Sequence, residues 1–362
     1  MSLLKNRRFQ LENLEERTLL TAAPWSTADE PDYSGLVVTT LEDVVDASDH
    51  YTSIREAIAN AESLGADAAI TFAKGLSGKI TLTGGALQID SAYGLSIDGD
   101  NRVVIDAGGE DRGFEILSGP VTLTNLEVTG GFHTRQGGAI SSSGDLTLDG
   151  VTVRDSYSGK FGSAVYIARG THLTVVDSTF VNNSSKTHGG GLYVEKTASA
   201  DISGSYFDGN SAGSYGAAVY IWNEAVVNVS DSIFVNNIAP NGTLRNYGGE
   251  LNLTNVVIVG NDQGISSSDG GVNTAVNVTI SGNFRSAVRG ESGATFTFYN
   301  SVLMNESDPE IKDQIGVFDL RTGATAGGDV NLSTVAFGTN FVMYDGGDLS
   351  PPTAIRRSAT TR

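Results

Sequence analysis

Residues 179–183 read Thr-Phe-Val-Asn-Asn, residues 206–210 Tyr-Phe-Asp-Gly-Asn, and residues 233–237 Ile-Phe-Val-Asn-Asn. An aromatic or aliphatic residue, two further residues and an Asn thus recur as Phe180/Asn183, Phe207/Asn210 and Phe234/Asn237. The triplet continues downstream as Ile258/Asn261, Ile280/Asn283 and Val302/Asn305, and upstream as Val153/Ser156 and Leu126/Thr129. The intervals from Leu126 onward are 27, 27, 27, 27, 24, 22 and 22 residues. A fixed period in this range is the signature of a solenoid. The four equal intervals align further columns: Ile140, Ile167, Val194 and Ile221 form one, and Leu148, Val175, Ile202 and Val229 another.

The residues choose among solenoids. No stretch has the helix-length 3.6-residue periodicity of helical repeats, and no Leu-x-x-Leu-x-Leu core is present. Each period instead reads as three short strands, such as Val165–Ile167, Leu173–Val175 and Ser178–Phe180, with Gly, Asn and Asp at the corners. That pattern predicts a parallel β-helix, an all-β rod whose coils of 22–27 residues stack like on like at ~4.8 Å. About ten coils span roughly 50 Å at that spacing. Before the coils, residues 52–64 carry Ser53 and Glu56 at capping-box spacing, with Ile54, Ala57, Ile58 and Ala61 on one face. This helix is expected to cap the first coil and hide its edge. The predicted organisation is a tail over 1–35, the β-helix with its cap over 36–345, and a second tail over 346–362.

Composition narrows the function. The chain of 362 residues has 42 acidic and 23 basic side chains, a net charge of −19, and no Cys. Disulfides, thiolate metal sites and cysteine nucleophiles are therefore excluded. The acidity argues against nucleic acid as a partner and favours a soluble monomer. No run of about 18 apolar residues is present, so no transmembrane helix is expected, and no secretory signal stands at the N-terminus.

Two segments resemble known groups. Thr52-Ser-Ile-Arg-Glu-Ala-Ile58 looks like the cap of bacterial right-handed β-helix surface proteins. Ile97-Asp-Gly99, Val104-Ile-Asp-Ala-Gly-Gly109 and Arg112-Gly-Phe114 resemble their first coils. Gly137-Gly-Ala-Ile140, with weaker copies at Gly190-Gly-Leu192 and Ala217-Ala-Val219, is similar to the repeats of polymorphic outer-membrane proteins. The resemblance covers about residues 50–305 and implies a right-handed, single-stranded β-helix of the pectin-lyase-like kind. Residues 8–20, Arg-Phe-Gln-Leu-Glu-Asn-Leu-Glu-Glu-Arg-Thr-Leu-Leu, resemble the Leu-Glu-Pro-Arg-x-Leu-Leu sorting segment of exported proteins, with Glu16 in place of Pro. An extracellular or cell-envelope location is what that likeness implies. Polymorphic outer-membrane proteins are usually completed by a β-barrel, which is not expected from this sequence.

Three groups of residues are candidates for chemistry. Alternation turns Tyr166 outward between Val165 and Ile167, with Tyr193 and Tyr220 above it, Ala139 starting the column and Trp222 on the same face. A flat aromatic strip suits the C–H faces of sugars, although Tyr also stacks on itself in ordinary sheets. In the preceding loop His133, Lys160, Thr187 and Ser214 align, as do Thr134, Phe161, His188 and Tyr215, with Arg135 and Lys186 beside them. His133, Lys160 and His188 are the catalytic candidates, a group able to neutralise a uronate and supply a base for β-elimination. Solvated loop charges give the same pattern. Asp98, Asp100, Asp106, Glu110 and Asp111, with Asp345 and Asp348 near the end, are the only oxygen-rich clusters for Ca²⁺, and none has the spacing of a dedicated calcium loop.

The reading that follows is an exported or cell-envelope β-helix with a structural, adhesive or glycan-contacting role and no cofactor, leaning away from an enzyme. A polysaccharide lyase on acidic glycans and a non-catalytic carbohydrate-binding module using the tyrosine strip are the alternatives.

Overall fold

At most bends of the chain a residue holds a left-handed backbone, which helps to close the coils. The computed structural model describes residues 33–304 and short strand segments between Phe318 and Arg357. At one corner the left-handed residues are Asn125, Asp177, Asp231, Asn255, Asn277 and Asn300, with φ between 44° and 57°. At the next they include Asp155, Asn182 and Asn236, with φ of 52–56°. Asn and Asp tolerate this region best among residues with a Cβ, which is why they mark the corners.

Between corners the strands line up into three long parallel sheets of 13, 11 and 11 strands and a small fourth sheet of four. One coil shows the path. Val165–Ile167 lies in the second sheet, His172–Val176 in the first, Thr179–Val181 in the third and Ser184–Ser185 in the fourth. Leu192–Val194 then returns to the second sheet, paired in parallel on Val165–Ile167. The fold is a right-handed parallel β-helix, as the repeat predicts.

The interior is built of stacked columns. Val128, Val153, Phe180, Phe207, Phe234, Ile258, Ile280 and Leu303 share one register. The Phe180–Phe207 and Phe207–Phe234 rings stack at 4.6 and 4.7 Å. Beside them runs the Asn ladder. The Oδ1 of Asn210 accepts from the backbone N–H and the Nδ2 of Asn183, at 3.1 and 3.0 Å. Its own Nδ2 donates to the Phe180 carbonyl and to Asn237 Oδ1. Asn237, Asn261 and Asn283 repeat the scheme, so the buried amides and the turn backbone satisfy one another.

The cap is a helix over Ile54–Ser63, with the reciprocal Ser53/Glu56 capping box and Ile54, Ala57, Ile58 and Ala61 buried. Arg55 fixes it to the first coils through Asp43, at 2.5 Å, and through the carbonyls of Gly85 and Ala86.

The register corrects the sequence alignment in two places. Between Ile140 and Leu146 the chain uses two residues fewer than between Val165 and Leu173, so the coil that precedes Val165 is two residues shorter than the two that follow it. Ile140 consequently pairs with Val165, not Ile167, and Ser141 with Tyr166, so Ala139 does not start the tyrosine column. Val128, not Leu126, precedes Val153 in the core, and His133 pairs with Ser158, not Lys160. Near the other end Ile280 pairs with Leu303, so Leu303 and not Val302 is the buried residue. The tail regions 1–32 and 346–362, with the sorting-segment likeness and Asp348, lie almost wholly outside the described residues.

Candidate functional site

Along the outer face of the second sheet, Ser141, Tyr166, Tyr193, Tyr220, Arg245, Ser266 and Arg289 form one unbroken column. The tyrosines stack as expected, at 5.6 Å between Tyr166 and Tyr193 and 5.1 Å between Tyr193 and Tyr220. They are not a bare platform, however. Tyr193 and Tyr220 are only 3 % and 2 % exposed.

What covers them comes from the preceding loop. Phe161, His188 and Tyr215 share a register and are joined by isolated bridges, with Gln136 rather than Thr134 below them and Asn241 above. Phe161 stacks on Tyr193 at 4.8 Å and His188 on Tyr220 at 4.8 Å, so a second aromatic layer lies over the first. The loop can fold back this closely because Gly162, Gly189 and Gly216 follow these residues with φ of 57°, 66° and 65°. A Cβ at Gly162 or Gly189 would stand 2.4 Å from the carbonyl oxygen of Val165 or Leu192. Alternation reveals which face a strand residue takes; it is silent on a loop that returns over that face.

The aromatic surface left open is at the upper end. Trp222 and Tyr247 are half-buried and stack at 5.0 Å with 9° between their planes. Trp222 also stands 6.0 Å from Tyr220. Tyr166 keeps its hydroxyl engaged, donating to Glu195 Oε2 at 2.9 Å. Burial and the Glu195 charge push its phenol above the ordinary range, and burial does the same to Tyr193 and Tyr220.

The basic residues lie next to this double layer. Arg135 and Lys160 fall in neighbouring coils of one column, since Phe161 N–H donates to the Arg135 carbonyl and His188 N–H to that of Lys160. Lys186 stands one residue aside, its N–H donating to the Ser158 carbonyl. All three side chains are exposed, and none is within ion-pair distance of a carboxylate among the described residues.

The three catalytic candidates fall in three different columns. His133 belongs to the Ser158 column, Lys160 to the Arg135 column and His188 to the Phe161 column. The Nδ1 of His133 accepts from the N–H groups of Arg135 and Gln136 and lies 3.0 Å from Arg112 Nη2. Burial and the Arg112 charge hold its pKa below the usual 6.5. The ring of His188 lies between aromatic faces with its Nδ1 buried and unpartnered, and burial lowers its pKa as well.

Two features of the site escaped the sequence reading. Arg245 continues the tyrosine column and is 3 % exposed. The signal for it was present: Leu244-Arg-Asn246 repeats Val219-Tyr-Ile221 after a coil shortened to 25 residues. The second is a polar column on the first sheet, Thr174, Asp201, Asn228 and Asn252, lining a shallow groove of about 270 Å³. Its side chains are bonded to one another, Asn228 Nδ2 donating to Asp201 Oδ1 at 2.8 Å and Asn252 Nδ2 to Asn228 Oδ1 at 3.0 Å. Among the described residues no three or more of His, Asp and Glu gather as a metal site, and the early acidic residues are engaged in turns and ion pairs, such as Asp106 with Lys79 and Asp100 with Arg102.

Residues 77–239 match the family model described as a right handed beta helix region. No curated protein matches the chain. Among solved structures, the catalytic unit of a thermostable α-1,3-glucanase from Streptomyces thermodiastaticus is 14 % identical with a TM-score of 0.39, over 86 % of this chain and 70 % of that one. A mannuronic acid-specific polysaccharide family 6 lyase from human gut microbiota is 10 % identical with a TM-score of 0.37, over 86 % and 91 %. The Dettilon tailspike protein is 12 % identical with a TM-score of 0.33, over 84 % of this chain, which spans 63 % of the tailspike's length. No helix among the described residues is long and apolar enough to cross a membrane.

Proposed function

We propose that this β-helix is an exported module, extracellular or at the cell envelope, that contacts acidic glycans at the basic–aromatic corner and has no bond-breaking role. The observation that carries this reading is the trio Arg135, Lys160 and Lys186, without an ion-pair partner among the described residues of a chain of net charge −19. Like charges side by side on adjacent coils repel, and no carboxylate among the described residues offsets them. A polyanion running along the rod meets such charges at the coil spacing of ~4.8 Å. The half-buried rings of Phe161, Tyr215, Trp222 and Tyr247 supply faces for the apolar sides of sugar rings. The separate columns of His133, Lys160 and His188 favour binding over β-elimination, which needs base and carboxylate clamp at one carbon. The likeness of residues 8–20 to a sorting segment supports the location.

The test is calorimetric titration with polygalacturonate, alginate and heparin fragments at two salt concentrations, alongside an ultraviolet assay for unsaturated sugar. Binding that weakens with salt and falls at least 10-fold in Arg135→Gln/Lys160→Gln/Lys186→Gln is expected, with a flat absorbance trace. Equal binding by the triple variant removes the corner from the reading. An absorbance rise would convert the module into a lyase.

A further inference from the structure

Arg245 is a buried cation whose surroundings are incomplete. Its Nη1 donates to Ser266 Oγ at 2.5 Å and its Nη2 to Ser268 Oγ at 2.6 Å, both buried neutral hydroxyls. Its Nε is buried and has no hydrogen-bond partner among the described residues. Among the described residues no carboxylate lies within 4.0 Å of the guanidinium. Glu291, the acid that influences it most, is taken by Arg289, whose Nε donates to Glu291 Oε1 at 3.0 Å. A guanidinium removed from water ordinarily has a carboxylate or a full set of acceptors to offset its lost hydration.

Aromatic rings surround it. The Tyr215 ring, half-buried, stands 5.0 Å from the guanidinium carbon. Tyr220 is its neighbour in the column, and Trp222 and Tyr247 stack in the adjoining one. His188 packs on both Tyr215 and Tyr220, and its Nδ1 is a second buried atom without a partner in the same cluster. The unsatisfied Nε of Arg245 beside these rings marks a place where a ligand group completes the hydrogen bonding.

We propose that Arg245 anchors an oxyanion subsite, in which Nε and the second Nη2 proton hold a carboxylate or sulfate group side-on once the Tyr215 ring turns aside. A planar fork with one edge free is suited to two parallel N–H···O bonds. That the oxyanion belongs to a saccharide rests on the acidic-glycan reading; that the subsite takes an oxyanion does not. Arg135, Lys160 and Lys186 then act at a distance along the chain of the ligand, while Arg245 selects one charged group.

The experiment uses the full chain carrying Trp25→Phe, which leaves Trp222 as its sole tryptophan and a reporter beside Tyr220 and Tyr247. Its fluorescence is titrated with sodium sulfate, with galacturonate and with polygalacturonate at constant ionic strength. A saturable change with sulfate or galacturonate that is lost in Arg245→Met is expected, and whichever of the two binds tighter identifies the oxyanion. Arg245→Lys keeps the charge but not the fork, and is expected to bind at least 10-fold more weakly. A Lys variant as good as wild type, a Met variant that still responds, or no response to either small anion overturns the subsite. Melting temperature separates binding from a purely structural role: Arg245→Met is expected to melt no lower than wild type, and a large drop would overturn the proposal. Sulfate binding through Arg245 without polygalacturonate binding would remove the glycan reading alone. Polygalacturonate binding unchanged in Arg245→Met would remove the subsite alone.

Discussion

The Asn183–Asn283 ladder and the Tyr166–Arg289 column run through overlapping coils, and they treat buried polarity in opposite ways. In the ladder each of the inner amides accepts from the coil before and donates to backbone and to the coil after. In the column the polar atoms at the centre, Arg245 Nε and His188 Nδ1 beside it, are left over. The same stacking geometry therefore produces a structural element when the side chain matches the coil spacing and an unfinished one when it does not. An Asn amide has a donor and an acceptor that alternate along the axis; a guanidinium offers donors only.

The largest effects should come from the finished region. Phe207→Ala removes a ring stacked at 4.6 and 4.7 Å between two others, in a core whose strands cannot close inward without breaking register. A loss of about 4 kcal/mol is expected in denaturant titration. Asn210→Leu leaves the Asn183 N–H without its partner and cuts the ladder's bonds to the Phe180 carbonyl and to Asn237, for about 2 kcal/mol at roughly 1–3 per orphaned group. By contrast Arg245→Met, of comparable size and equally buried, is expected to cost nothing. If Asn210→Leu proves neutral while Arg245→Met unfolds the protein, the contrast between the two columns is false.

The contrast also explains what could be read in advance. Phe180, Phe207 and Phe234 with their Asn partners recur at equal spacing, and the ladder demands an apolar residue and an Asn in its coils even where the interval shortens to 24 and 22, so both fold and core are written in the recurrence. The outer column carries no such demand. Tyr220 is followed by Arg245 after 25 residues, and a change of interval together with a change of residue hides the continuity. The two-residue difference in the turn before Leu146 hid the true partners of His133 in the same way. Burial of Tyr193 and Tyr220 was illegible for a different reason. It depends on Gly162, Gly189 and Gly216 turning the loop back, which alternation along the strand does not encode.

A smaller effect checks the cap against the coils. Ser53 accepts from the Glu56 N–H while Glu56 returns to the Ser53 N–H, and Arg55 ties the same turn to Asp43. Ser53→Ala is expected to cost about 1 kcal/mol. Because a solenoid couples each coil chiefly to its neighbours, hydrogen exchange should quicken near Ala68–Phe72 and remain unchanged around Phe207. Exchange that quickens equally in both places would mean that the rod unfolds as one unit and that cap and ladder are not separable.

The smallest expected effect is one of pH, and it again sets the unfinished region against the rest. Burial lowers the pKa of His188, with the Arg245 charge acting in the same direction, and burial with Arg112 lowers that of His133. The unfolded chain therefore takes up protons near the ordinary value of 6.5 while the folded chain still does not. Stability is at its full value above that pH and falls as the pH drops below it, by at most about 1.4 kcal/mol per unit of pH for each group. The carboxylates held low by ion pairs, Asp43 and Asp106, have an ordinary value of 3.8 and contribute their loss only at more acid pH. Melting temperature followed from pH 7 to 5 should thus decline in the wild type and decline less in His188→Gln. Occupation of the Arg245 subsite by an oxyanion changes the sign of one contribution, since a bound negative charge beside His188 offsets the repulsion from the guanidinium. Saturating galacturonate is expected to flatten the wild-type slope and to leave that of Arg245→Met where it was.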